Sequence, residues 1–330
     1  MTERTRARKS RASIVARPTN ISVADYGLVL AFLALCAALT VLTPTFFTSQ
    51  NILNVGRQVS VTAILAAGQT FVILAAGIDL SVGSLVGLAG VVAAGVALHA
   101  GFVAGIGAGL GVAALAGLVD GMAIMLIRIP DFVVTLAMLS AARGLDLIYS
   151  GGEPIGVASQ PFLYLGAGYV GPVPVPIIIM LLVFAASHVV LRYTAFGRYV
   201  YAVGGNRRAA AYSAIDVRRV RIAVYVISGM LAGLAGVVLA GRLATADPQA
   251  GVGYELDSIA AVVLGGTSLF GGEGSVARTL LGALILGVLS NGMNLLDVSP
   301  FYQQVAEGVV IVLAVAISHI DELRSRSGAD

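Results

Sequence analysis

The side chains able to do chemistry in this chain are few, and their types exclude most enzymatic roles. Lys9 is the only lysine, and it stands in a basic head. It is not part of Gly-x-x-x-x-Gly-Lys-Ser/Thr, the loop whose backbone amides cradle phosphate while its lysine reaches it. No ATP hydrolysis is expected from this polypeptide, so energy has to come from another chain or from an ion gradient. Cys36 is the only cysteine, which excludes a disulfide framework and a cysteine-based metal site. His99, His188 and His319 are far apart among apolar neighbours. They read as helix-end residues, and neither a metal nor a catalytic triad is expected.

The remaining polar groups sit inside apolar stretches, where each ionised side chain is expensive and calls for a named partner. Asp79, just before Leu80 and Ser81, suits a helix start, where a carboxylate offsets free amide donors and the dipole. Glu255 and Asp257 open a later helix at its positive end, again a structural role. Arg143 and Asp146 are three apart and are expected to pair on one helix. Asp120 and Glu307 lie deeper, and either could serve a proton relay or pair with an arginine such as Arg143 or Arg242. Uncharged groups suit a route for hydroxylated substrates, which need donors and acceptors but no net charge. Gln69, Thr135, Ser140, Asn291 and Asn294 are the candidates for such a translocation path, although inter-helix hydrogen bonding explains each equally well.

The elements that position these groups follow from composition. Of 330 residues, 58% are hydrophobic and 11% charged, too few charges to cover a water-facing surface. The chain therefore reads as an all-α polytopic membrane protein. Continuous apolar runs of about 17–25 residues are helix spans; strands of an outer-membrane barrel would alternate instead. About ten segments qualify: Tyr26–Leu42, Gln58–Ala76, Gly83–His99, Phe102–Ile127, Asp131–Tyr149, Val173–Leu191, Val220–Gly241, Glu255–Leu264, Val276–Leu296 and Phe301–His319. The eighth is too short to span alone and runs into Gly265 and Gly266, as a broken or re-entrant helix would.

Arginine placement sets the orientation. Arg4, Arg6, Arg8, Lys9, Arg11 and Arg17 precede the first span, and Arg192, Arg198, Arg207, Arg208, Arg218, Arg219 and Arg221 crowd one loop, whereas Ser150–Gly171 contains no Lys or Arg. Both termini and the arginine-rich loop are expected inside. The head is not a cleavable signal, since the apolar run after it spans fully. This gives a basic N-terminal segment 1–24, a transmembrane domain 25–320 containing the cytoplasmic loop 192–221, and a cytoplasmic tail 321–330.

Glycines at four-residue spacing in Gly101–Gly111 are expected to let a neighbouring helix approach closely. Two Gly-rich stretches, 76–84 and 265–275, each lead into a small-residue span, which suggests two parallel pseudo-repeats. In the arginine-rich loop, Gly204-Gly205-Asn206 reads as a turn and helix N-cap, with a short helix Arg207–Ser213 after it. The residues alone leave two uses for that helix: a low-profile knob for a partner protein, or an anchor on anionic lipid.

Four motifs in order carry a family resemblance: Gly77-Ile78-Asp79-Leu80-Ser81-Val82-Gly83-Ser84, then Arg143-Gly144-Leu145 ahead of Tyr149-Ser150-Gly151-Gly152, then the loop at Gly204, and then Gly253-Tyr254-Glu255-Leu256-Asp257 running on to Gly265-Gly266-Thr267-Ser268-Leu269. From about residue 25 to 320 the chain resembles the permease subunit of ribose-type sugar ABC importers. The resemblance implies a non-catalytic permease homodimer in the bacterial cytoplasmic membrane. It also implies a separate ATPase subunit that holds ATP and Mg, a periplasmic or lipid-anchored sugar-binding protein, a monosaccharide substrate such as ribose or a similar sugar, and no nucleic acid. It assigns coupling to the ATPase to the segment carrying Gly197, Arg198, Gly204, Gly205, Asn206, Ala209, Ala210 and Ser213. Departures are Ala214 where the family usually has glycine before the isoleucine, Asp120 where many relatives carry an amide, and Glu307. The rivals are an ion-gradient-driven secondary transporter and an ABC permease for a branched-chain amino acid or nucleoside.

Overall fold

The computed structural model describes residues 23–306, 308, 309 and 312. The expectations placed on the basic head up to Arg17, on Glu307, on His319 and on the C-terminal tail lie outside the described residues, as does much of the tenth expected span.

Helices follow in chain order among the described residues: α1 (Val23–Leu42), α2 (Ser49–Leu74), α3 (Val82–Ala100), α4 (Phe102–Met122, continued by a wider turn over Ala123–Ile127), α5 (Asp131–Ser150), α6 (Gln160–Ala167), α7 (Val175–Tyr193), α8 (Ala195–Gly205), α9 (Arg207–Tyr212), α10 (Val217–Leu243), α11 (Tyr254–Leu264) and α12 (Val276–Leu295), and residues 300–306 are helical as well. Seven of them are long and apolar enough to cross a membrane, and the Gly27–Leu42 part of α1 is apolar as well. The eighth expected segment is the 11-residue α11, which ends at Gly265 and gives way to an irregular stretch before α12. The second span starts earlier than expected, at Ser49, because Thr48 caps it by accepting the Asn51 N–H. The arginine-free segment is partly ordered: β1 (Ile155–Gly156) pairs antiparallel with β4 (Thr245–Ala246), and β2 (Tyr169–Val170) with β3 (Val173–Pro174).

Small residues set the packing. α10 lies on α4 where Gly229 and Gly233 meet Ala113, and on α3 where Gly236 meets the Val86 backbone. The expected glycine stripe of α4 divides: Gly105 and Gly109 take the backbone of α3, while Gly107 and Gly111 have open space beside them. A hydroxyl pair, Thr70 with Thr279 at 2.9 Å, ties α2 to α12. The two Gly-rich stretches lie against each other, the Gly272 N–H donating to the Leu74 carbonyl at 2.9 Å. Each leads into a helix, α3 and α12.

Candidate functional site

The short helices α8 and α9 cap one end of the bundle. Thr194 starts α8, its hydroxyl accepting the Gly197 N–H at 3.2 Å. Gly197, Val200 and Val203 form the buried face; a side chain at Gly197 would run into the carbonyls of Val190 and Leu191. Gly204 and Gly205 complete α8 and do not form a separate turn, which corrects the sequence expectation. Gly204 presses on the Leu74 carbonyl and the Gly272 amide. Tyr201 donates to the Gly274 carbonyl at 3.0 Å, and burial pushes its phenol pKa up against the opposing pull of Arg278 and Arg192.

Asn206 then opens α9, its side-chain oxygen accepting the Ala209 N–H at 3.0 Å, the N-cap that the sequence suggested. Ala210 is 4% exposed and packs into the chain, so its side chain does not belong to the outward surface. The outward face consists of Arg207, Arg208, Ala209, Ala211 and Tyr212, the last 92% exposed. Ser213 and Arg198 are exposed as well; Arg198 donates to the Thr194 carbonyl. The backbone turns sharply at Ala214, φ 59°, the left-handed region that glycine enters most easily. The glycine that the family resemblance implies at this position would meet a backbone need. Asp216 caps α10 by accepting the Arg219 N–H at 3.1 Å.

Beneath this surface, α10 grips the turn that leads into α3. Arg221, 2% exposed, forms an ion pair with Asp131 at the start of α5. The Tyr225 hydroxyl lies 3.0 Å from Asp131 Oδ2 and 3.3 Å from the Ile78 carbonyl. Ser228 donates to Asp79 Oδ2 at 2.7 Å. Asp79 Oδ1 accepts both the Ser81 N–H at 3.0 Å and the Ser81 hydroxyl at 2.6 Å. Asp79 is therefore a turn-forming carboxylate, close to the expected capping role, with Asp120 Oδ2 also 3.3 Å from the Ser81 hydroxyl. Arg207 of α9 feels this cluster: partial burial, and then the Arg221 guanidinium, lower its pKa, while Asp131 and Tyr225 oppose them.

The expected path residues are mostly tied up. Gln69 donates to the Asp79 carbonyl at 3.0 Å. Thr135 bonds to the Asp131 carbonyl. Asn291 and Asn51 exchange reciprocal amide bonds at 3.0 Å, and Asn294 accepts from Gln303 at 2.8 Å. Ser140 is exposed and bonds to the Leu136 carbonyl.

Arg143 and Asp146 do not make the close ion pair expected, although the arginine still attracts the carboxylate electrostatically. Arg143 donates to the Pro248 carbonyl, and both Asp146 oxygens are buried without a hydrogen-bond partner among the described residues. Asp146 rests on Gly87, and one helical turn away Glu255 Oε2, also buried without a hydrogen-bond partner, rests on Gly83. Asp257 shares the first turn of α11 with Glu255. Sequence reasoning passed over Asp131, Arg221, Tyr225 and Ser228. Their signal was the spacing of the last three, which places them on one helix face.

Comparison with known proteins matches residues 51–315 to a family described as branched-chain amino acid transport system / permease component. The chain is 46% identical over 295 residues to the ribose import permease protein of Escherichia coli (strain K12), covering 88% of this chain and 92% of that one. It is 46% identical over 281 residues to the ribose import permease protein of Bacillus subtilis (strain 168), covering 84% and 87%. An L-arabinose ABC transporter permease protein of Azospirillum brasilense is 40% identical over 291 residues, covering 88% and 86%. No solved structure gives a significant match.

Proposed function

The chain belongs to the family of branched-chain amino acid transport system permease components, and from that membership we propose that it is the membrane-spanning subunit of an ATP-driven ABC importer for a monosaccharide, ribose or a similar sugar. The sugar assignment is supported by relatives named for ribose, L-arabinose and D-allose. Two copies would line the path in the cytoplasmic membrane, with both termini and the α8–α9 end inside. A binding protein would deliver the sugar from outside. A separate ATPase, holding ATP and Mg, would drive the cycle.

The observation that carries this reading is the outward face of α9, where two arginines, two alanines and a tyrosine form a shallow basic knob on a helix fixed from behind by Ala210. Such a knob can enter a groove and meet acidic groups there. The lipid-anchor alternative remains an outcome of the test. Ala211→Glu places a carboxylate on this exposed face, where substitutions cost the fold little, yet it would have to be desolvated unpaired in a groove. Normal membrane insertion with loss of ATPase co-purification is expected. Retained co-purification at wild-type yield would refute the docking role, and an effect that varies with anionic lipid content would favour the anchor.

A further inference from the structure

Arg221, Tyr225 and Ser228 recur at intervals of four and three along α10 and so share one face, and each of them touches something other than its own helix. Arg221 holds Asp131, Tyr225 reaches both Asp131 and the Ile78 carbonyl, and Ser228 holds Asp79. We propose that this face is the transmission element of the transporter: it converts displacement of α9 by the ATPase into displacement of the turn at Gly77–Ser81 and of the α5 start. The proposal rests on the reading that α9 docks an ATPase.

The input side is rigid. α9 joins α10 through a bond from the Ile215 N–H to the Ala210 carbonyl at 3.1 Å, and Asp216 caps the first turn of α10. Four residues separate α9 from α10, too few to absorb a movement of α9 without passing it on.

The output side is stiff for a different reason. The Arg221–Asp131 pair is buried on the arginine side, so pulling it apart would leave a charge uncompensated in a low-dielectric interior, far costlier than breaking a surface pair. The Tyr225 hydroxyl joins three elements at one atom: α10 by its own chain, α5 through Asp131, and the turn through Ile78. Its approach requires bare backbone. A Cβ at Gly77 would stand 2.7 Å from the Tyr225 hydroxyl and 3.0 Å from Asp131 Oδ2.

Beyond the turn, Asp79 and Ser81 lead directly into α3, and Asp131 is the first residue of α5. These are the two helices that close on each other farther along, where Asp146 rests on Gly87. A shift of the α10 face therefore acts at the roots of both helices, and their separation would uncover a carboxylate that has no hydrogen-bond partner in this structure. Tyr225, Arg221 and Asp131 act here as positioning residues.

The test uses the assembled transporter, permease with its ATPase in proteoliposomes supplied with binding protein and ribose, and reads the ATP hydrolysed per sugar imported. Tyr225→Phe removes one hydroxyl and leaves the ring in place, and Asp131→Asn removes the charge. Both are expected to assemble with the ATPase and to raise that ratio at least about fivefold, the lower end of typical coupling between two sites. Arg221→Lys, which keeps the charge, is expected to fall between wild type and Arg221→Met. A wild-type ratio in both Tyr225→Phe and Asp131→Asn would overturn the proposal. So would loss of uptake that merely parallels loss of assembly, since that would mark a role in folding alone. If the wild-type chain binds no ATPase, the docking reading fails and the proposal falls with it.

Discussion

Gly204 and Gly205 are adjacent and end the same helix, yet their surroundings differ, and a single methyl group distinguishes them. At Gly204 a Cβ would press into the Leu74 carbonyl and stand 2.6 Å from the Gly272 amide, whereas at Gly205 the nearest atom is the Gly272 Cα at 3.9 Å, an ordinary contact. The hydrogen bond from the Gly272 N–H to the Leu74 carbonyl, 2.9 Å long, runs through the space that the added methyl group of Gly204→Ala would need. Losing it costs about 1 kcal/mol, and overpacking at backbone adds about 1–3 kcal/mol. The helix preference of alanine returns about 0.5–1 kcal/mol. Gly204→Ala should therefore weaken this junction by about 2 kcal/mol, a roughly thirtyfold change in its opening equilibrium. Gly205→Ala should leave it unchanged or slightly tighter. Hydrogen–deuterium exchange over residues 266–275 and 195–212 in detergent reads this directly, with faster exchange in the first variant only. Equal exchange in both variants, or faster exchange in Gly205→Ala, would refute the packing argument.

Two further outcomes are expected. In a Cys36→Ser background, cysteine at Ser159 should react with an impermeant thiol reagent on intact cells and cysteine at Ser213 only after permeabilisation; the reverse would overturn the proposed orientation. Asp146→Asn replaces a buried carboxylate that lacks a hydrogen-bond partner with an amide able to donate towards the carbonyls of Pro248 and Ala250, which like it lie against Gly87. It should raise thermal stability in detergent by on the order of 1–3 kcal/mol, the cost of leaving such a group unsatisfied, whereas a clear loss of stability would reveal a partner holding the carboxylate.

The helical spans were legible because long apolar runs have few alternatives in a membrane, and the N-cap at Asn206 was legible because it is local. The Gly204–Gly205 turn was misread: a glycine pair signals a turn only when nothing packs on it, and here the backbone of α2 and the segment before α12 supply that packing. The burial of Ala210 was not legible, because six residues of helix do not reveal which side faces the bundle. The Arg143–Asp146 pair failed because sequence spacing permits an i, i+3 contact but cannot show that the 247–251 loop brings a carbonyl to Arg143 first. Asp131 escaped notice as the first residue of a span. Its role depends on Arg221 and Tyr225, about 90 positions later, and a long-range pair of that kind leaves no local signature.

Whether this chain moves a sugar only when a separate ATPase acts on it is read most directly from ribose uptake into proteoliposomes of defined composition. With permease, ATPase, binding protein and ATP together, uptake is expected. Omitting either the ATPase or ATP should abolish it, even under an imposed proton or sodium gradient. Gradient-driven uptake by the permease alone would contradict the claim.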